Sequence, residues 1–205
     1  MSVIEGICKK VSSSIAQELD LDKDRESVVN YGMFAFIQIC ISVGLVVIFG
    51  AFFRVVIEAL ITSFTGSILR KSSGGVHATS PEKCALIGVV VCVGAGVISK
   101  NANISLNLMV AMGLTIFLWS YIIILKYAPV DSPSKPINNK EKRKRLKSIS
   151  IVILTIYLII ITLNIMLYSF SGNAYLIRYS LCMYLAIVWQ VFSLTKSAHN
   201  LLGRN

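Results

Sequence analysis

The chain has 205 residues, of which 55% are hydrophobic and only 15% are charged, and its mean hydropathy is +0.73. This composition excludes an ordinary soluble domain and predicts an integral membrane protein. The net charge of +10 would suit nucleic acid, but no aromatic residues interleave with the basic run at 140–147, so nucleic-acid binding is not expected.

Residues 1–30 predict an amphipathic N-terminal region and no cleavable signal peptide, because they mix charges and lack a continuous apolar core. Apolar side chains recur there at helical spacing, opposite a polar face that includes Ser12. This pattern favours an interfacial helix on the membrane surface, and a helix packed on the protein's own cytoplasmic surface is the alternative. The apolar face consists of Ile4, Ile7, Cys8, Val11, Ile15 and Leu19.

Six apolar segments follow, most of them near the roughly 20 residues that a helix needs to cross a bilayer core of about 30 Å. Arg54 separates the first two, which we expect to form a hairpin. The sequence therefore predicts an all-α membrane protein: one domain (1–205) with a six-helix transmembrane bundle over 33–194. The predicted spans are 33–53, 55–69, 84–99, 104–125, 149–170 and 174–194.

With six spans, every Lys and Arg except Arg54, Lys100 and Arg178 falls on one side of the membrane. Because basic residues concentrate in cytoplasmic segments, we expect both termini and the loop after the second span to be cytoplasmic. A further basic cytoplasmic loop is predicted at 126–148, and its three prolines exclude a helix from its first half. We expect its charges to set the membrane topology or to bind anionic lipid headgroups. Binding of an acidic peptide tail is the alternative.

Glu58 is one of the few charges inside a predicted span, and its position four residues after Arg54 predicts a local ion pair. Small residues in the third span, namely Gly88, Gly94 and Gly96, permit close helix contacts within one chain or in a homodimer.

A small peptide exporter and a scaffold that recruits a peptide through the basic loop are alternative functions without enzymatic activity. Transport pathways usually contain several intramembrane charges, so the exporter is the less favoured of the interpretations.

Five cysteines, at 8, 40, 84, 92 and 182, share no close spacing, which predicts neither a disulfide framework nor a zinc site. We expect no cofactor or metal. Cys84 differs from the cysteines inside apolar spans, because Ser80 and Pro81 predict a helix start that places it in the first turn. A helix N-terminus carries about half a positive charge, which stabilises a thiolate, and Lys83 adds a neighbouring cation.

His77 lies seven residues before Cys84, on the other side of Pro81, so the chain can turn and bring the imidazole back to the thiol as a base. Gly74 and Gly75 permit unusual backbone angles and the close approach of a peptide main chain. Amides at the start of the following helix could bind a developing oxyanion. A thiol and an imidazole on such a loop are also compatible with no chemical role.

The segments LRKSSGGVHATSPEKC (69–84) and KYAPVDSPSKPI (126–137), with the order of apolar segments, resemble the accessory gene regulator protein B (AgrB) family over nearly the whole chain. These are bacterial cell-membrane cysteine endopeptidases of quorum sensing. The resemblance implies that His77 and Cys84 are catalytic. It also implies cleavage of an AgrD-like precursor peptide through an acyl thioester on Cys84, followed by closure of a thiolactone or lactone.

The resemblance further implies supporting residues. Arg70, Gly74 and Gly75 match the basic and glycine positions ahead of the histidine, and Lys135 belongs to a matching AP…KP motif that we expect near the active face. Asp131 could orient His77, although a turn residue beside prolines is the better interpretation. The chain departs from the family at Ser73, where an aromatic residue is usual. The candidate supporting residues are therefore Arg70, Gly74, Gly75, Lys83, Asp131 and Lys135.

Overall fold

The computed structural model describes residues 3–76, 80–131 and 139–202, and these residues are almost entirely helical. The chain forms two compact units, Met1–Leu45 and Val46–Asn205. The helices are α1 (Val3–Glu18), α2 (Lys23–Phe52), α3 (Val56–Ser73), α4 (Pro81–Asn101), α5 (Leu106–Tyr127), α6 (Lys140–Ser171), α7 (Ala174–Phe192) and α8 (Lys196–Leu202). The all-α class is confirmed.

The first unit contains α1 and most of α2. The Ser13 hydroxyl on α1 donates a 2.6 Å hydrogen bond to the carboxylate of Glu26 on α2. Because α2 begins at Lys23, residues 23–30 belong to the long apolar helix, which begins ten residues before the predicted first span at 33–53.

The buried side chains of α1 form one line, Cys8, Ser12 and Ala16, whereas Val11 and Leu19 are exposed. The prediction that Ser12 lies on the polar face is therefore wrong. Its hydroxyl donates to the carbonyl oxygen of Lys9 on the preceding turn (3.1 Å), so the hydroxyl has a hydrogen-bond partner although it is buried.

Five helices among the described residues are long and apolar enough to cross a bilayer: α2, α4, α5, α6 and α7. They are compatible with a multi-pass membrane protein. In this group, α6 begins earlier than the predicted span at 149–170, because Asn139 accepts hydrogen bonds from the amides of Glu141 (2.8 Å) and Lys142 (3.2 Å) and caps the helix there. The basic run at 140–147, in the second half of the predicted loop at 126–148, is therefore helical.

The remaining long helix, α3, lacks the apolar composition of the other five but forms the centre of the second unit. It packs against α4, α6 and α7, and α7 in turn packs against α3, α4, α5 and α6. The interior of this bundle contains a cluster of buried apolar side chains, such as Leu154, together with many hydroxyl groups, and other large apolar side chains such as Leu114 and Phe170 are exposed. This distribution suits a lipid environment, where packing and hydrogen bonds hold helices together. The buried polar side chains include Thr62, Thr65, Ser72, Ser73, Ser120, Ser150, Ser180, Gln190 and Ser193.

One end of the bundle, the far end, contains the turn between α2 and α3. Arg54 adopts a left-handed conformation there (φ 57°), and its carbonyl oxygen accepts a 3.0 Å hydrogen bond from the Lys100 ammonium at the end of α4. Gly96 of α4 packs on α3, since a Cβ placed on it would lie 3.2 Å from Cβ of Val55. The predicted close contact of the third span is thus made within the chain at Gly96.

Glu58, near the same end, pairs with Arg178 of α7 at 3.4 Å, so the predicted local pair with Arg54 is wrong. The carboxylate is almost fully buried and the turn residue Arg54 is exposed, whereas α7 packs directly on α3 and brings its own guanidinium to the carboxylate. Only the packing of two helices that are distant in sequence provides this partner.

Candidate functional site

The opposite end of the bundle, the loop end, contains the start of α4 and the nucleophile candidate Cys84. Ser80 has extended backbone angles, and its hydroxyl accepts a hydrogen bond from the amide of Lys83 (3.3 Å). Its carbonyl oxygen accepts from the amide of Cys84 (3.0 Å), so the thiol lies in the first turn and is half-buried. The predicted helix start, with Ser80 as cap and Pro81 as the first helical residue, is confirmed.

Arg70, in the last turn of α3, lies within electrostatic reach of Cys84. The Arg70 side chain is half-buried, so water only partly screens its charge. The guanidinium also donates a hydrogen bond to the carbonyl oxygen of Val76. One side chain therefore contacts the loop before His77 and interacts electrostatically with the thiol.

The glycine pair after α3 is held by the protein's own backbone. Gly74 (φ 70°) pairs with Val130 in an isolated parallel bridge, in which the Val130 amide donates to the carbonyl oxygen of Ser73 (2.9 Å). A Cβ on Gly74 would lie 2.0 Å from the carbonyl oxygen of Val130, and one on Gly75 (φ 138°) would lie 2.5 Å from the Ser193 hydroxyl oxygen. The main chain that approaches Gly74 closely belongs to the segment after α5.

Val76, the last described residue before His77, is fixed at both of its peptide groups. Its amide donates to the carbonyl oxygen of Ser193 at the end of α7 (3.1 Å), and its carbonyl oxygen accepts from Arg70. Its side chain is buried. The backbone is therefore anchored up to the residue that precedes the histidine in the sequence.

Gln190 of α7 was not identified from the sequence, although it contacts the same loop. Its amide nitrogen donates to the Ser73 hydroxyl (3.0 Å) and to the carbonyl oxygen of Gly74 (2.8 Å). The residue is 2% exposed. A lone amide within an apolar helix is the signal that could have marked it.

Ser73 occupies the position where the resemblance leads one to expect an aromatic residue. Its side chain is fully buried, donates to the carbonyl oxygen of Leu69 (2.9 Å) and accepts from Gln190. Beside it, Ser72 accepts a 2.9 Å hydrogen bond from the Ser150 hydroxyl of α6. The polar end of α3 thus faces other helices of the bundle.

Asp131 lies one residue beyond the bridge to Gly74 and pairs with Arg143 of α6 at 3.5 Å. The same guanidinium donates to the carbonyl oxygen of Pro129 (3.2 Å), so Arg143 ties the segment after α5 to the start of α6. The structure gives Asp131 a partner on α6.

The loop end brings together Arg70, Gly74, Gly75 and Cys84, with Lys83 beside the thiol in sequence and Asp131 beside the bridge. Of the other predicted site residues, His77 and Lys135 lie outside the described part of the chain. The residues that sequence reasoning did not identify are Gln190, Ser193 and Arg143.

Similarity to known proteins extends over nearly the whole chain. The family model for accessory gene regulator B matches residues 8–194. An AgrB-like protein 2 of Clostridium perfringens strain 13 is 40% identical over 203 residues, which cover 98% of this chain and 95% of the relative. An AgrB-like protein of strain SM101 of the same species is 39% identical over equal shares of both chains. No solved structure matches the chain. Because the family match and both relatives extend over nearly its whole length, the chain belongs to the accessory gene regulator B family.

Proposed function

We propose that this protein is a membrane cysteine endopeptidase that cleaves an AgrD-like precursor peptide and closes the released segment into a thiolactone or lactone signal. The observation that carries the proposal is the position of Cys84, half-buried in the first turn of α4 and within electrostatic reach of Arg70. A helix N-terminus and a guanidinium both stabilise a thiolate, and both stabilise an oxyanion that forms on a carbonyl next to it.

The first chemical step is attack by the Cys84 thiolate on a peptide carbonyl carbon of the precursor. His77 takes the thiol proton and returns it to the nitrogen of the leaving fragment as the C–N bond breaks. The N-terminal part of the precursor remains as an acyl thioester on Cys84.

In the second step, a Cys or Ser side chain of the bound precursor attacks the thioester carbonyl. A new thioester or ester bond forms, the bond to Cys84 breaks, and the proton of the attacking group goes to His77 or to the departing thiolate. Exclusion of water from the acyl group favours ring closure over hydrolysis. Exchange of one thioester for another is nearly isoenergetic, so removal of a product draws the reaction forward.

We further propose that α3 is a sixth membrane crossing. Its 18 residues rise about 27 Å, close to the thickness of a bilayer core. Its first turn contacts the far end of α4, and its last residues contact the segment after α5 and the end of α7, so it runs between the same two ends as its neighbours. Its low hydropathy follows from its central place, because it packs against α4, α6 and α7 and its Thr62, Thr65 and Ser73 side chains are buried.

With α3 as a crossing, all basic residues except Arg54, Lys100 and Arg178 lie on the side of the loop end, which is then cytoplasmic together with both termini. A membrane-impermeant maleimide tests this topology on intact cells. In a background without the native cysteines, an Arg54→Cys variant should react from outside and a Lys71→Cys variant only after lysis. Equal reaction of both variants from outside would contradict the proposed crossing.

The peptidase itself is tested with purified protein in lipid vesicles and the candidate precursor. Mass spectrometry should detect an acyl adduct on Cys84 with wild-type protein, and the Cys84→Ser and His77→Ala variants should not release the C-terminal fragment. Cys40→Ser and His199→Ala are matched controls: Cys40 is an exposed thiol on α2, and the His199 imidazole on α8 contacts the Thr195 carbonyl oxygen (3.0 Å). Cleavage at the wild-type rate by the Cys84→Ser variant would refute the proposal.

A further inference from the structure

We propose that Gln190 of α7 is a positioning residue, which fixes the Ser73–Gly74 backbone that leads in sequence to the proposed base, His77. This inference rests on the proposed peptidase function and extends it to a side chain on a helix distant in sequence. The Gln190 amide nitrogen donates to this loop, so its effect passes through the backbone.

The hydrogen bonds of Gln190 are specific. Both protons of its amide nitrogen are used, one toward the Ser73 hydroxyl (3.0 Å) and one toward the Gly74 carbonyl oxygen (2.8 Å). The side chain is 2% exposed, so water does not replace these bonds when the amide is removed. The half-buried Gly74 carbonyl oxygen would then keep only the longer hydrogen bond from the Ser73 hydroxyl (3.4 Å), so the orientation of this peptide group would be less fixed.

The segment that Gln190 holds leads directly to the catalytic candidate. Gly74 has φ 70° and ψ −150°, a conformation open to glycine and to few other residues, and such a peptide keeps its orientation only if its surroundings fix it. The next fixed residue is Val76, whose amide donates to Ser193 on the following turn of α7. His77 is next in the sequence. The end of α7 therefore determines where the backbone stands one residue before the imidazole.

Neighbouring contacts restrict the segment from the other sides but do not replace Gln190. The Val130 amide donates to the Ser73 carbonyl oxygen and Arg70 donates to the Val76 carbonyl oxygen. The Gly74 carbonyl oxygen accepts its short hydrogen bond from Gln190 (2.8 Å) and a longer one from the Ser73 hydroxyl (3.4 Å). Without the bond from Gln190, the proton transfer geometry between base and nucleophile becomes variable. Since a misplacement of about 1 Å can reduce a rate about 100-fold, turnover should fall while precursor binding persists.

The test uses a Gln190→Met variant, which keeps the volume of the side chain but cannot donate. Precursor cleavage in lipid vesicles should show kcat reduced about 10- to 100-fold, with KM within about threefold of wild type. Gln190→Glu is the conservative variant: a carboxyl group shielded from water stays protonated and donates one hydrogen bond, so it should recover part of the lost kcat. Asn164→Leu is the matched control, because it removes the bond from the Asn164 amide to Ser180 (3.3 Å) in the far half of the same α6–α7 pair.

A second readout does not need the precursor. Alkylation of Cys84 by iodoacetamide, followed by peptide mapping, should slow in Gln190→Met toward the rate of His77→Ala and stay at the wild-type rate in Asn164→Leu. If wild-type protein does not cleave the precursor but this pattern appears, the proposed reaction fails and the positioning role stands.

Three results would overturn the inference. One is a kcat for Gln190→Met within about threefold of wild type. Another is an equal loss in Asn164→Leu, which would indicate general destabilisation of the bundle. The third is wild-type alkylation of Cys84 in Gln190→Met. If Gln190→Met does not insert into the membrane, Gln190→Leu, which also cannot donate a hydrogen bond, is measured in its place and the same three results decide.

Discussion

Substitution of Gly74 by alanine gives the most direct test of how the loop end is built. An alanine Cβ would lie 2.0 Å from the carbonyl oxygen of Val130, whereas real contacts of this kind are longer than 3.0 Å, so one backbone must move by about 1 Å. The positive φ of 70° adds strain of about 1–3 kcal/mol for a residue with a side chain. Loss of the hydrogen bond between Val130 and Ser73 adds about 0.5–1.5 kcal/mol.

We therefore expect Gly74→Ala to destabilise the protein by about 2–4 kcal/mol. Thermal unfolding in detergent, followed by tryptophan fluorescence, measures the loss, and precursor cleavage should fall with it because the backbone before His77 shifts. Gly66→Ala is the control on the same helix, since a Cβ there meets no atom within 4 Å and alanine favours a helix over glycine by about 1 kcal/mol. A Gly74→Ala variant as stable and as active as wild type would refute the close approach of the two segments.

Arg178→Met should cost about 1–3 kcal/mol, because it leaves the buried Glu58 carboxylate without its cation, and thermal unfolding measures the loss. Arg143→Met should lose only about 0–1 kcal/mol from its pair with Asp131, since those side chains are 51% and 31% exposed; equal losses in the two variants would contradict this ranking. Ser80→Ala should lower stability by about 1 kcal/mol and slow alkylation of the thiol on the first turn of α4, whereas unchanged values of both would show that the cap contributes nothing.

Part of this site could be predicted because its signals are local. Pro81 has no amide proton to lose at a first helical position, and Ser80 accepts a hydrogen bond from an amide of the first turn. The start of α4 and the place of Cys84 in its first turn could therefore be inferred from five consecutive residues. The two glycines likewise indicated unusual backbone angles, which the structure has. The approaching chain could not be inferred, because Val130 is 56 residues away in sequence.

The sequence by itself determined that the chain is helical and has the composition of a membrane protein, because apolar segments of bilayer length and a helix cap are formed by residues close together in sequence. Only the tertiary structure decided which polar groups meet. Glu58 pairs with Arg178 instead of Arg54, and Gln190 reaches Ser73 and Gly74, because α7 packs along α3. These partners lie 116 to 120 residues apart in sequence, and helical periodicity carries no information about which face of one helix will pack against another.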